Sequence, residues 1–369
     1  MVLLTVAALA CAVVLAPPAG AQPILALSWL LFTGSSAHVA STGWLFTGPA
    51  VRAYARAHQV RCLWAPCGLV VIAAAAAAAI SPAGFGWLLL PYFGWQLYHY
   101  QKQNIGMASL AASAGRVRSL LPAERWPLLL GGWSGIAALM VRPGLLGVRV
   151  GPGTLGSLTL GPPGQGAAAG QALWLAGHAI FLLAAASFVL SIAAGIVALA
   201  RRPRPQRPAS FVVTYATCVL FFLPAFVFAT PYAAVGGMTI AHGLQYLLLV
   251  TSIAGGRTAA AGNRRSRPVR LALLANVAFI GGAALSSASH LHDAGTAGRL
   301  LFGGYLGVVM AHFVIDAGLW RMRDPLARTI LATSLPYLVP ATAMSSVAVS
   351  SMQVPPEVVM RLPIDRQPI

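Results

Sequence analysis

The chain has 369 residues, 58% of them hydrophobic and only 8% charged. A water-soluble domain devotes about a quarter of its residues to charge, so this composition excludes one and points to an all-α, polytopic transmembrane helix bundle. The formal net charge of +18 would suit a nucleic-acid partner, but the basic residues sit in short joints between apolar runs, where they act as topology signals.

In chain order the apolar runs fall at 2–16, 23–46, 63–81, 84–104, 126–141, 172–199, 211–230, 233–254, 270–289, 299–320 and 329–351. Most are near the ~20 residues that cross a bilayer as a helix. That gives eleven spans, or ten if the first is a removed signal. Residues 1–22 read as an N-terminal hydrophobic helix or signal-like segment. Residues 23–351 read as one transmembrane helical domain, and 352–369 as a C-terminal tail. Breakers mark the joints: Pro82, Pro122, Pro162-Pro163, the run RRPRPQRP at 201–208, and Pro231. The Gly-rich stretch 141–166 reads as a connecting loop between spans, with a re-entrant segment or a lid as alternatives. The four cysteines (Cys11, Cys62, Cys67 and Cys218) have no C-x-x-C spacing and indicate neither zinc nor a disulfide framework.

Orientation follows from the Lys and Arg residues. If the second span runs from outside to inside, 19 of the 24 basic residues fall inside and five (Arg142, Arg149, Arg299, Arg361 and Arg366) outside. This division predicts a multi-pass protein of the plasma membrane with a cytoplasmic N-terminus. Anionic lipid contact is the lesser reading of the arginine runs.

Ionisable groups inside spans are expensive and mark function by default. His58 lies in a basic loop. His290 and His292, beside Asp293 in SSASHLHDAG, suit a wet helix end. Five histidines fall within spans: His38, His99, His178, His242 and His312. They occupy the second, fourth, sixth, eighth and tenth spans, which all run in one direction. At 1.5 Å per residue, His312 lies roughly 14 Å from the first inner basic residue, and His38 and His242 roughly 21 Å. His178 lies roughly 35 Å from Arg201 and fits the convergence poorly.

Three of these histidines carry a polar neighbour about one turn on: His99 with Gln103, His242 with Gln245, and His312 with Asp316. Residues three or four apart share a helix face, and a metal-ligating imidazole commonly gives its second N–H to a carboxylate or amide. Asp316 and Gln103 are therefore read as outer supports. The plainer reading is that Asp316 pairs with Arg321 or Arg323 and that the histidines only tie helices together. Imidazole suits iron, copper, zinc and nickel. Trp95, Tyr98, Tyr100, Tyr246 and Trp320 would line an apolar site, although such aromatics more often form interfacial belts or core.

The ordered set His38, His99, His242 and His312, with an acid shortly after the last histidine, resembles the Brp/Blh family of membrane β-carotene dioxygenases. Where that family's first motif places an aspartate after its histidine, this chain reads AHVAST. The resemblance implies a polytopic bundle holding non-haem iron, which cleaves a double bond of an isoprenoid with dioxygen. The HxxxH and HxxHH boxes of membrane desaturases are absent, as are G-x-S-x-G and P-loop motifs.

Together these readings predict a non-haem iron oxygenase or dioxygenase acting on a lipid-soluble substrate, with isoprenoids and carotenoids as candidates. Its proposed metal ligands are His38, His99, His242 and His312, with His178 as a candidate fifth. The alternatives are a haem-binding membrane protein and a proton-coupled transporter using the histidines and Asp316.

Overall fold

A computed structural model describes residues 1–18, 21–81, 84–146, 168–256, 266–321 and 324–336. Among them every regular element is a helix. That is what a bilayer imposes, because each backbone N–H and C=O must find its partner within its own segment.

Twelve helices follow in order. They are α1 (Val2–Val14), α2 (residues 25–45), α3 (Pro49–Ala57), α4 (Val60–Ala79), α5 (Phe85–Ala114), α6 (Pro122–Met140), α7 (Ala168–Arg201), α8 (Ala209–Val227), α9 (Tyr232–Gly255), α10 (Arg267–Ser289), α11 (Gly295–Leu319) and α12 (Pro325–Ser334). Proline stands in the first turn of α3, α6 and α12, where its missing N–H costs nothing. Asp324 caps α12 by accepting from the Leu326 amide at 2.9 Å.

Six of these helices, α4 and α7 to α11, are long and apolar enough to cross a membrane, and the chain is a multi-pass integral membrane protein. Large apolar side chains such as Val71, Ile72, Leu183, Val189, Ile196 and Ile280 face outward. They are stable there only against lipid.

Each expected span has a helical counterpart, with differences in character. The first is 13 residues long, roughly 20 Å, which is short of the roughly 30 Å hydrocarbon core. It packs instead on α9, burying Ala8 and Ala12. Its Thr5 Oγ1 accepts a hydrogen bond from Gln245 Nε2 at 2.6 Å. Helix α5 is 30 residues long but carries Gln96, Gln101, Lys102, Gln103 and Asn104 among its apolar residues, so it does not meet the apolar criterion of a span. Of the expected last span only the part within α12 is described. The Gly-rich connection beyond Leu146, the rest of that span and the tail 352–369 lie outside the described residues.

Two close approaches organise the bundle. Helix α11 packs on α4 through Gly303 and Gly307. A Cβ on Gly303 would lie 2.3 Å from the Ala73 carbonyl, and one on Gly307 would lie 2.4 Å from Val70 Cα. Four-residue spacing of small residues is the usual route to backbone contact in membranes. The second approach joins α2 to α9. A Cβ on Gly243 would stand 2.2 Å from the Gly34 carbonyl oxygen, and one on Gly34 would stand 2.5 Å from Ile240 Cα. Gly34 lies in a π-turn, Thr33–Ala37, that interrupts α2 just before His38. Such bulges often mark functional positions. This contact brings the histidine-bearing turns of two helices together.

Candidate metal centre

His38, His99, His242 and His312 come from α2, α5, α9 and α11, and all four are buried. Each imidazole neighbours two others. Ring centroids are 5.1 Å apart for His38–His242, 5.1 Å for His38–His312, 5.0 Å for His99–His242 and 5.1 Å for His99–His312. The rings meet edge to face, at interplanar angles of 67–88°. Two imidazoles bound to one ion through nitrogens at about 2.1 Å have centroids roughly 4.5–5.3 Å apart for bond angles between square and tetrahedral. The observed spacing falls within that range.

The nitrogens agree with the rings. Nε2 of all four histidines is buried with no hydrogen-bond partner. Leaving a buried polar atom unsatisfied costs about 1–3 kcal/mol, so four together would cost roughly as much as the net stability of a whole domain. One ligand nitrogen from each of His38, His242 and His312 lies within 4.8 Å of the other two. The same holds for His99, His312 and an Asp316 oxygen. The two groups share His312 but do not form one set within that distance; the ring spacings of His99 to His242 and to His312 link them. The chemistry of this donor set fits a borderline transition-metal ion.

The surroundings fix the rings. His312 Nδ1 shares a 2.7 Å hydrogen bond with Thr42 Oγ1, which leaves Nε2 to face the cluster. Thr42 Oγ1 in turn meets Tyr246 Oη at 2.8 Å, and that hydroxyl donates to Asp316 Oδ1 at 3.1 Å. His38 has no hydrogen-bond partner at either nitrogen among the described residues, and the same holds for His242. Tyr100 stacks on His242 at 4.2 Å, and Phe313 stacks on His99 at 4.5 Å. Tyr100 is held by Thr239, to which its hydroxyl donates at 3.1 Å, and by Gln96.

Asp316 has a different position from the expected one. It is not hydrogen-bonded to the outer nitrogen of His312, because Thr42 occupies that side. Its Oδ2 instead lies 3.6 Å from Nε2, on the face turned to the other histidines. The carboxylate is therefore placed as a candidate ligand, held by Tyr246. It makes no pair with Arg321, whose Nε donates to the Ala317 carbonyl at 2.8 Å. Arg323 lies outside the described residues. Gln103 does not reach an imidazole either. Its amide donates to the His242 carbonyl at 3.1 Å and to Gln245 Oε1 at 2.8 Å. It thus ties α5 to the backbone of α9, and Gln245 extends the tie to α1.

His178 stays apart. It lies on α7, which packs chiefly on α6. Its partly exposed ring stacks on Trp174 at 5.3 Å. It belongs to neither ligand group, as its depth from Arg201 had suggested. Outside the bundle interior, His292 pairs with the exposed Asp293 at 3.0 Å and His58 stacks on Tyr54.

Thr42 is the residue that sequence reasoning missed. The signal was present, because Thr42 follows His38 by one helical turn, like the polar neighbours of the other three histidines. A hydroxyl attracts less notice than an amide or a carboxylate, and Thr42 serves the histidine of a different helix. Comparisons with protein-family models, characterised proteins and solved structures return no match.

Proposed function

We propose that the four-histidine cluster, with Asp316 at its edge, holds a non-haem iron ion, and that the protein is a membrane-bound oxygenase of a lipid-soluble, isoprenoid-like substrate. The observation that carries this reading is the set of four buried, unpartnered Nε2 atoms on rings spaced as ligands of one ion. Iron is favoured over copper or zinc by the carboxylate. Two histidines and a carboxylate on one side of a site, here His99, His312 and Asp316, are the donor set of non-haem Fe(II) oxygenases. Haem is disfavoured, because a porphyrin placed between any two of these rings would displace the other two.

When bound, the ion would supply a place for dioxygen to be activated. The chain's own residues do the rest. Thr42 and Tyr246 hold His312 and Asp316 in one orientation. Tyr100 and Phe313 press the His242 and His99 rings into place. The surrounding apolar helices keep bulk water away, and a lipid-soluble substrate would reach the site from the bilayer. In this reading the protein lies in the plasma membrane with its N-terminus cytoplasmic, supported by the 19-to-5 division of basic residues.

The test is reconstitution of purified protein with Fe(II) under anaerobic conditions, followed by oxygen and a panel of polyenes in micelles, β-carotene among them. Oxygen-dependent bleaching of a polyene, absent in His312→Ala, is expected. Full iron loading with no polyene or other isoprenoid consumed would remove the oxygenase and leave only the metal site.

A further inference from the structure

We propose that the groove between the end of α7 and the start of α8 binds the phosphate headgroup of an anionic phospholipid. The groove is about 500 Å³ and open on one side. Its wall is apolar, formed by Ile196, Leu199, Ala200 and Val212, and its rim carries Arg204 and Arg207. None of the four histidine-bearing helices contributes to it.

These two arginines are set apart by lining an apolar groove, and no described acidic group neutralises them there. The described residues contain four carboxylates. Glu124 accepts Arg202 at 2.9 Å and Arg118 at 3.4 Å. Asp293 pairs with His292, Asp316 lies by His312, and Asp324 caps its own helix. Neither Arg204 nor Arg207 has a described carboxylate partner, and the Arg207 Nε is buried without a hydrogen bond. Guanidinium forks match phosphate oxygens two at a time.

The joint that carries them is rigid. Gln206 Oε1 accepts from the Arg118 amide at 2.8 Å, and the Arg202 guanidinium donates to the Arg118 carbonyl and lies 4.4 Å over Phe211. Prolines at 203, 205 and 208 stiffen it further. On α7, Leu190, Ile196 and Val197 are exposed apolar residues, and Ile196 also lines the groove. A phospholipid satisfies both halves at once, with its phosphate on the arginines and its chains against these apolar side chains. Free phosphate would satisfy only the rim.

The experiment counts lipid on protein purified in micelles of phosphatidylcholine with phosphatidylglycerol, using native mass spectrometry. Wild type is expected to retain phosphatidylglycerol. The double variant Arg204→Gln/Arg207→Gln is expected to lose it by roughly thirty-fold, as befits removing two cations at a membrane surface. The control Arg56→Gln/Arg125→Gln removes the same charge from exposed positions elsewhere and should retain it. Val212→Trp fills the apolar wall with both arginines intact and should also exclude the lipid. Equal loss in the control, retention in the double variant, retention in Val212→Trp, or full displacement by inorganic phosphate would each overturn the proposal.

Discussion

A buried imidazole nitrogen without a partner is a local cost that folding must offset elsewhere, and here four neighbouring rings each carry at least one. The residue next to them that most directly controls geometry is Thr42. Its hydroxyl fixes the side of His312 that is turned away from the cluster. Groups that orient a ligating histidine typically contribute 10–100-fold to metal affinity. Thr42→Val keeps the shape and removes the hydrogen bond, so it is expected to weaken metal binding by about that factor while the protein still folds. Competition with a chelator of known affinity measures this. His178→Ala is expected to leave affinity unchanged, because that ring stacks on Trp174 away from the cluster. The sequence marked five in-span histidines by their shared direction and set His178 apart by its depth, although His99 lies only three residues before Lys102. It could not show that Asp316 turns inward, because one helix alone does not reveal which nitrogen of His312 a neighbouring helix occupies.

At the scale of elements, the site depends on backbone contact between α2 and α9. Gly243→Ala places a methyl 2.2 Å from the Gly34 carbonyl, so the helices must part and carry His38 away from His242. Overpacking of this kind costs about 1–3 kcal/mol. A lower thermal midpoint in detergent together with lower metal content is expected, whereas Gly304→Ala, which would meet nothing within 4 Å, should change neither. A second element-scale prediction concerns the ion cluster joining α6 to the end of α7. Arg202 and Glu124 are almost wholly buried and 2.9 Å apart. Glu124→Gln strands a buried guanidinium, and removing one partner of such a pair costs about 3–5 kcal/mol. Thermal unfolding should show it, and a double change to Glu124→Leu with Arg202→Met should be milder than the single one. Sequence placed these charges in a joint between spans. It did not reveal their pairing, because the partners are 78 positions apart and Glu124 is also its own helix's cap.

For the whole molecule, composition alone dictates helices in lipid, and hydropathy locates nearly every one of them. Hydropathy fails where polarity has a purpose. The run 84–104 reads as a span, yet α5 continues to Ala114 through Gln101, Lys102, Gln103 and Asn104, and α1 reads as a span although it is a short rod against α9. The convergence of α2, α5, α9 and α11 on one point depends on packing that no periodicity in a single segment encodes. The central claim is that these four helices share one metal ion, and metal content of detergent-purified protein tests it most directly. After loading and desalting, wild type should retain about one ion per chain. Alanine at His38, His99, His242 or His312 should each reduce this severely, with the monodisperse elution profile preserved. Metal content that stays the same across all four single variants, or wild type that retains none after loading, would contradict the account.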